Sequence, residues 1–509
     1  MEIDERITPS DLKSNLDDVF AVASRSTWNL RRAWAPERGA PVFTVNGEYS
    51  ARGWTEWTQG FQFGNALYLF DATGDREMLE YGRNATVRYM YPHLTHTGVH
   101  DHGFNNVSTY GNLLRLVREG RIAANEWEAE FYRLALRVSA AVQAARFTPL
   151  PGGLGYVASF NGAHSLFADT IRSMRSLSVG HRLGAHLTGE QDERVSLLSR
   201  AIAHAETTAR YNVYFGEGRD TYDVRGRVAH ESLFNPASGS YRAPSTQQGY
   251  SPFTTWTRGH SWVLCGYPEQ LEYLETLSEA EYEGPEALPT LEAAKRRFLE
   301  VACAAADFYL EHTAKDGIPY WDTGAPGLEK LGDWRANAAD PYNRHEPVDS
   351  SAAAISAQGL IRLGRYLKRG APAPERIPAG GRIEGSAGKT GGRADARGAA
   401  DASKKSAAEP SDSTDGFRPA AALGDRYLAA GLTAARTLFA DPYLARDRRH
   451  QGILLHSVYH RPNGWDYDPD HSGVPRGEAC MWGDYHLLEL AVLVQRLSTD
   501  GPYHAFFNV

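Results

Sequence analysis

The chain contains few cysteines, and they are poorly placed for cross-links. Only Cys265, Cys303 and Cys480 occur in 509 residues, an odd number, far apart in the chain and each within an apolar segment. This distribution argues against a disulfide framework and against a zinc site. We expect three core thiols in a reducing compartment.

Long hydrophobic runs are also missing. No stretch of about 18 apolar residues occurs, and the N-terminal residues MEIDER are acidic and lack the apolar core of a secretion signal. The sequence therefore predicts a soluble, cytoplasmic protein with no membrane partner.

Basic residues are outnumbered. Lys and Arg total 54 against 62 Asp and Glu, which gives a net charge of -8. Nonspecific nucleic-acid binding depends on basic surface and is not expected here. The composition, 42% apolar and 23% charged, is that of a globular chain long enough for one large core or two ordinary ones.

Helical periodicity recurs along the chain, with short, turn-rich connections. Apolar positions repeat at helical spacing in about a dozen segments: 9–23, 54–71, 75–90, 107–119, 125–145, 165–187, 190–211, 257–277, 290–313, 350–369, 424–440 and 481–497. Paired helices with longer loops at alternate connections are typical of a closed ring of helical hairpins. We predict an all-α fold, an α/α toroid, forming one domain over residues 1–509.

The segment 370–418 interrupts this pattern. It is rich in Ala, Gly, Ser, Pro and charged residues and has almost no large apolar side chain, so it cannot bury a core face. Because helical periodicity resumes on both sides, we predict a disordered insertion within the domain.

Two aspartates stand in unusual surroundings. Asp101 lies between histidines and is followed by Gly-Phe, and Asp169 is the only formally charged residue from 159 to 171. Both are candidates for catalytic carboxylates facing one pocket. The alternative is that Asp101 caps a helix beginning near Asn106 and Asp169 caps one beginning near Thr170, because Asp is a preferred N-cap residue.

Several short blocks, taken in order, point to a known family. They are residues 57–61 (WTQGF), 100–104 (HDHGF), 168–171 (ADTI), 248–250 (QGY) with 257–262 (TRGHSW), and 349–354 (DSSAAA) with 482–485 (WGDY). Their order and spacing resemble those of the unsaturated glucuronyl hydrolases, glycoside hydrolase family 88. The unsaturated rhamnogalacturonyl hydrolases of family 105 are the next neighbour.

The resemblance implies an (α/α)6 barrel and an unusual glycosidase reaction. Such enzymes act on the 4,5-unsaturated uronic acid that polysaccharide lyases leave at a non-reducing end. They hydrate the C4=C5 vinyl ether: a proton adds to C4 and water to C5, and the resulting hemiketal opens and releases the remaining sugar. The carboxyl-separation rule of ordinary glycosidases need not apply. No metal or organic cofactor is implied, and the expected partner is an unsaturated uronyl oligosaccharide.

The resemblance also assigns the two aspartates. Asp169 falls on the family's catalytic acid and base, and Asp101 on a second essential carboxylate. An acid that delivers a proton needs a raised pKa, and we expect the uncharged surroundings of Asp169 to provide it through desolvation. Repulsion between the two carboxylates would keep one of them protonated.

Candidate substrate-binding residues follow from the same blocks. Trp57 is the expected platform under the unsaturated ring, although it can also be plain core, and Gln248 is the glutamine of its motif. His230 stands 18 residues before Gln248, at the separation of a substrate-contacting histidine in the family. Its structural alternative is a satisfied histidine leading into a hairpin.

Two further candidates lie on a predicted helix and a third opens another. Arg258 and Trp262 are four residues apart, so Arg258 can bind sugar or order acidic groups and Trp262 can stack on the sugar. The alternative is that they pack on each other. Ser350, within Asp-Ser-Ser, can bind a uronate through free backbone N–H groups or can simply belong to a helix cap. Asp484 and Tyr485 are interpreted as structural.

Some residues depart from the family pattern. Gln247 stands where relatives often carry His, so recognition of a carboxylate or sulfate can differ. Arg172 and Arg175 follow Asp169 at helical spacing, and either would lower the pKa of Asp169 if it faced the pocket. These departures leave substrate choice open, and the sequence does not indicate an oligomeric state.

Three functional hypotheses remain at this point. The first is an exo-acting hydrolase of unsaturated uronyl oligosaccharides. The second keeps the toroid but hydrolyses a saturated or rhamnogalacturonan-type sugar. The third is a noncatalytic glycan-binding scaffold. An enzyme should gather Asp101, Asp169, His230, Trp57 and Arg258 around one pocket, whereas a scaffold permits them to scatter.

Overall fold

A computed structural model describes residues 1–53, 56–282, 284, 287–370 and 420–509. In this part of the chain, twelve helical segments alternate between an outer and an inner position. The predicted insertion at 370–418 lies, apart from Gly370, outside the described residues.

The inner ring consists of six helical segments that are buried over most of their length. They are α2 (Gln59–Thr73), α5 (His102–Asn106) continued by a π-helical turn (Val107–Gly111) and α6 (Asn112–Arg118), α8 (Thr170–Ser173) continued by α9 (Arg175–Arg182), α11 (Thr257–Leu274), α13 (Ser350–Lys368) and α15 (Met481–Ser498).

The outer ring consists of helices with one buried and one exposed face. They are α1 (Lys13–Ala33), α3 (Arg76–Tyr89), α7 (Glu126–Ala145), α10 (Leu197–Tyr211), α12 (Leu291–His312) and α14 (Ala420–Leu438), and a single turn, α4 (Tyr91–Leu94), precedes α5.

The inner helices close into a ring. Each packs against the next, from α2 through α5, α8 and α9, α11 and α13 to α15, and α15 returns to α2. Because an outer helix brings the chain back between successive inner helices, all inner helices run in the same direction. The predicted all-α fold is confirmed as an (α/α)6 barrel.

Local sequence explains how the hairpins form. Between α2 and α3, Gly74 adopts the left-handed φ of 77° that a helix C-terminus favours, and Asp75 accepts hydrogen bonds from the N–H groups of Glu77 and Met78. Ser196 and Thr290 cap α10 and α12 in the same way. These polar caps end one helix and start the next within a few residues.

Short strands lie in the connections between the helices. They are β1 (Pro41–Val45), β2 (Glu48–Ala51), β3 (Phe147–Pro149), β4 (Gly155–Val157), β5 (Ser165–Phe167), β6 (Leu187–Thr188), β7 (Arg194–Val195), β8 (Glu231–Phe234) and β9 (Tyr241–Ser245). β5, β8 and β9 form an antiparallel sheet in that order. The prediction of a helix over 165–187 is therefore wrong at its start, because residues 165–167 pair with β8 and the helix begins at Thr170.

The cysteines lie where the sequence suggested. Cys265, Cys303 and Cys480 are unpaired and buried, which confirms the prediction of core thiols. No helix in the described part of the chain combines the length and apolar character needed to cross a bilayer.

Candidate active site

A cavity opens at the end of the barrel where the inner helices begin. Since these helices are parallel, the residues at their N-terminal ends meet there. About 680 Å³ of space, the open mouth included, is lined by Trp57, Val99, His100, Asp101, Phe104, Phe160, Asp169, Gln247, Gln248, Trp256, Arg258, Trp262, Tyr459, His460 and Trp465. Four of the five residues expected around one pocket line this cavity.

The two candidate carboxylates immediately precede inner helices. Asp101 stands before α5 and Asp169 before α8, and they are 7% and 9% exposed. Each occupies an N-cap position, yet neither side chain accepts a capping hydrogen bond from its helix. The capping alternative therefore does not explain these two side chains, and both residues line the cavity.

A buried histidine lies between the carboxylates. His100 Nε2 is 3.7 Å from Asp101 Oδ1 and 3.7 Å from Asp169 Oδ2, and its ring packs on Phe160 and edge-on against Phe167. Burial alone would lower the pKa of His100, but the two carboxylates outweigh it and raise the pKa. The imidazole thus lies between Asp101 and Asp169, and the two carboxylates favour its protonated form.

The pKa values of the two carboxyls are shifted in opposite directions. Burial, opposed in part by His100 and reinforced by Asp169, raises the pKa of Asp101. Burial would also raise the pKa of Asp169, but the proximity of His100 outweighs it and lowers that pKa. The expectation that desolvation raises the pKa of Asp169 is therefore wrong for the ligand-free protein, because it did not consider the adjacent histidine.

α5 and α8 approach each other closely just after the two aspartates. A Cβ on Gly103 would lie 2.2 Å from the backbone oxygen of Ser173. The N–H of Gly103 also donates to Ser173 Oγ at 3.0 Å. Glycine at this position lets the two helices touch at Gly103 and Ser173, which lie two residues after Asp101 and four residues after Asp169.

Arg258 joins several elements beside the cavity. Its guanidinium donates to Asp349 at 3.1 Å and to the backbone oxygens of Val458 and Tyr459. It also donates to Gln248 Oε1 at 2.9 Å. Because the amide oxygen of Gln248 is held in this way, its NH₂ group is left as the end that can donate to a ligand.

Aromatic rings form one wall of the cavity. Trp57 is half-buried and stacks on Trp482 with ring centroids 5.0 Å apart. Trp262 is buried and contacts Phe104 and His486 edge-on or tilted. Of the two tryptophans predicted to contact sugar, Trp57 is the more accessible.

Two predicted substrate contacts lie outside the cavity lining. His230 is buried against Phe167 and Trp256 behind the cavity wall, and its Nδ1 accepts from the N–H of Gln247 at 3.1 Å, while its Nε2 has no hydrogen-bond partner. Ser350 is buried and donates to the backbone oxygen of Leu455 at 2.6 Å.

The free backbone N–H groups expected near Ser350 are occupied. Asp349 Oδ1 accepts from the N–H groups of Ser351 and Ala352, which makes it the cap of α13. The capping alternative holds at this position.

Arg172 and Arg175 do not face the cavity. Both are buried in the barrel interior, where Arg172 bonds to Glu269 at 3.0 Å and to Glu489 at 2.7 Å. Arg175 pairs with Glu489 at 3.3 Å. Both arginines are thus paired away from Asp169, whose pKa is lowered by the adjacent His100 instead.

Sequence reasoning missed the loop that closes one side of the cavity. Tyr459, His460 and Trp465 line the cavity, and the ring of Trp465 contacts those of the other two. The sequence signal was limited to a cluster of aromatic residues and histidines without periodicity. His100 was visible in its motif but was given no role.

Comparisons with known proteins agree with the motifs. No family model matches the chain. A curated protein of Formosa agariphila, named unsaturated glucuronyl hydrolase, is 25% identical over 313 residues, and the match covers 61% of this chain and 64% of that relative. The match thus spans just under two thirds of the relative's length.

Solved structures match over nearly the whole chain. The unsaturated glucuronyl hydrolase of Bacillus sp. GL1 aligns with a TM-score of 0.61 at 20% identity, covering 95% of this chain and 96% of that one. A mutant of the Streptococcus agalactiae enzyme, complexed with dGlcA-GalNAc6S, aligns with a TM-score of 0.57 at 17% identity, covering 96% and 93%. These matches show the (α/α)6 fold, and the names of the relatives confirm the resemblance found in the motifs.

Proposed function

We propose that this protein is a glycoside hydrolase that releases a 4,5-unsaturated uronic acid from the non-reducing end of lyase-generated oligosaccharides by hydrating its vinyl ether. The observation that carries the proposal is the buried Asp101–His100–Asp169 group at the base of an aromatic cavity. Relatives named for this activity support it.

The cavity suits an anionic terminal sugar. The N-terminal ends of α2, α5, α8 and α11 converge on it, and each carries a partial positive charge. The amide NH₂ of Gln248 adds donors on one side. Together with the imidazole of His100, whose pKa is raised, these groups favour the uronate carboxylate, while the one guanidinium in the described lining, that of Arg258, is already paired with Asp349.

Both proton transfers of the reaction are assigned to Asp169. Asp169 delivers the proton to C4 and then takes a proton from the water that adds at C5, so no net proton is consumed. In the free protein the pKa of Asp169 is lowered, whereas that of Asp101 is raised. When the negatively charged uronate binds, it disfavours the ionised form of both carboxyls, and this raises the pKa of Asp169 toward the value an acid needs.

The other two hypotheses receive less support. A noncatalytic scaffold permits the five residues to scatter, but Asp101, Asp169, Trp57 and Arg258 line one cavity and His230 lies against its wall. No contact in the described part of the chain specifically favours a saturated sugar, and vinyl-ether hydration remains the better proposal.

The test follows the ultraviolet absorbance of the vinyl uronate. The purified protein is mixed with unsaturated disaccharides from several lyases, beside Asp169→Asn and the control Asp17→Asn, which changes an exposed residue on α1. Loss of absorbance with the parent and the control, but not with Asp169→Asn, supports the proposal. If the folded parent protein consumes none of the disaccharides, the proposed activity is wrong; if Asp169→Asn keeps full activity, the assignment of Asp169 is wrong.

A further inference from the structure

The residues that line the cavity divide by exposure and by charge. The formally charged ones, Asp101, Asp169 and Arg258, are buried, as is His100. The half-exposed ones mark the open end and carry no formal charge: Trp57, Val99, Phe160, Gln247, Gln248 and Trp465. The base of the cavity is therefore charged, and its mouth is aromatic and neutral.

The mouth offers no available cation among the described lining residues. Arg258 is the only Lys or Arg in the lining, and its guanidinium is already bonded to Asp349, Gln248 and two backbone oxygens. Burial and the neighbouring Arg258 lower the pKa of His460 to about 4, so this ring is neutral near pH 7. A guanidinium outside the lining, that of Arg52, is engaged as well, since it donates to the backbone oxygen of Trp465 at 3.3 Å. A negative group at the mouth would therefore find amide donors, but it would have to displace an existing bond to gain a positive partner.

Trp465 is held at the mouth by a well-defined turn. Asp466 accepts from the N–H groups of Tyr459 and His460, and Gly464 adopts a left-handed φ of 62°. The ring of Trp465 packs at 4.8 Å from His460 and 5.4 Å from Tyr459. The indole is therefore positioned before any ligand arrives, which reduces the entropy lost on binding.

We propose that Trp465 is the platform for the sugar on the leaving side of the scissile bond, and that this sugar is neutral and unsulfated. The inference rests on the proposed function, because an exo-acting enzyme places the terminal uronate at the closed base and the leaving sugar at the open mouth. Trp57 and Trp465 then contact successive rings.

The preference for an unsulfated leaving sugar follows from how each group interacts with the indole and with water. A flat indole face stabilises a neutral pyranose through its C–H surface, and the hydroxyls remain toward water. A sulfate in the same place would lose part of its hydration against the indole and gain no ion pair with a lining residue. Discrimination should therefore arise at the leaving sugar and not at the uronate.

The experiment compares matched disaccharides. An unsaturated glucuronyl–N-acetylgalactosamine disaccharide is assayed beside its 4-sulfated and 6-sulfated forms, with the parent protein, Trp465→Ala and the control Trp127→Ala. Trp127 lies on α7, is 87% exposed and does not line the cavity. The substrates share the same vinyl uronate, so the same absorbance reports all three.

We expect the parent to turn over the unsulfated disaccharide with a kcat/KM about tenfold above that of either sulfated form. Trp465→Ala should raise the KM for the unsulfated disaccharide about tenfold with little change in kcat, as loss of one ring contact predicts. Trp127→Ala should match the parent.

The failures can be told apart. If no disaccharide is consumed by any variant, the proposed function itself fails. If all three are consumed but the sulfated forms are equal or better, the neutral-mouth proposal is wrong. If Trp465→Ala leaves KM unchanged, Trp465 is not the platform. Circular dichroism of Trp465→Ala shows whether the turn has been lost, and in that case Trp465→Phe, which keeps a ring, must retain a near-parental KM.

Discussion

Replacing Gly103 by alanine should disturb the carboxylate pair from below. The new Cβ would lie 2.2 Å from the backbone oxygen of Ser173 and 2.7 Å from its carbonyl carbon and Cα. Ordinary contact begins at 3.4 Å, so α5 and α8 must separate by about 1.2 Å, the difference between the two distances. Backbone atoms cannot rotate out of the way as a flexible side chain can.

This displacement has two measurable consequences. Overpacking of this kind costs about 1–3 kcal/mol of stability. Because Asp101 and Asp169 directly precede the two helices, a shift of about 1 Å in their relative position should reduce kcat/KM about a hundredfold. Urea unfolding gives the first quantity, and the vinyl-uronate absorbance assay gives the second.

The control and a milder variant define how the reasoning can fail. Gly53→Ala adds the same methyl where nothing lies within 4 Å, and it should behave as the parent protein. Gly266→Ala is gentler, since its Cβ would meet Ile171 Cγ2 at 3.0 Å and Arg172 N at 3.1 Å; it provides the activity readout if Gly103→Ala does not fold. Parental stability and activity in Gly103→Ala would refute the argument that contact between α5 and α8 sets the carboxylate geometry.

Two pH-dependent predictions follow from the buried carboxyls. His100→Gln removes the main group that lowers the pKa of Asp169 and leaves burial opposed only by the smaller effects of His230 and a backbone hydrogen bond. The high-pH limb of the kcat/KM profile should therefore move to higher pH, and an unmoved limb would mean that His100 does not control this proton. Burial raises the pKa of Asp484 to about 7, although the carboxylate accepts from Tyr49 and two backbone N–H groups. With an unfolded pKa of about 3.9, protonation favours the folded state, so this contribution to the free energy of unfolding is fully present below about pH 4 and is lost as the pH rises through about 7. Asp484→Asn should flatten this dependence in urea titrations across the same range, and parallel curves for parent and variant would contradict the assignment.

The helices were largely predictable because the pattern of buried positions in each helix depends on residues close together in the sequence. Apolar residues at helical spacing and caps such as Asp75 define the outer helices without knowledge of the rest of the chain. The strand Ser165–Phe167 was missed because three buried residues carry no period that distinguishes strand from helix. Its hydrogen-bond partner, β8, lies far away in the sequence.

In the candidate site, too, only the residues marked by local sequence could be predicted. Asp101 and Asp169 could be found because each is a charge in an otherwise apolar or histidine-rich stretch. Trp465 could not, since its place depends on a loop joined to Arg258 through Val458, 200 residues away in the chain. The direction of the Asp169 pKa shift also required the three-dimensional position of His100.

The ion pairs inside the barrel affect how this protein can change over time. Arg172, Arg175, Glu269 and Glu489 are almost completely buried, and the two positive and two negative charges balance one another below the cavity. Removing one member leaves a buried charge without a partner and lowers the free energy of unfolding by about 3–5 kcal/mol. Exchanging the whole group for apolar side chains often leaves stability unchanged. Intermediates between these two arrangements are therefore the least stable, and the interior of the barrel is expected to tolerate coordinated replacement far better than stepwise drift. Divergence in substrate choice is then easiest in the loops at the mouth, which can vary without passing through such intermediates.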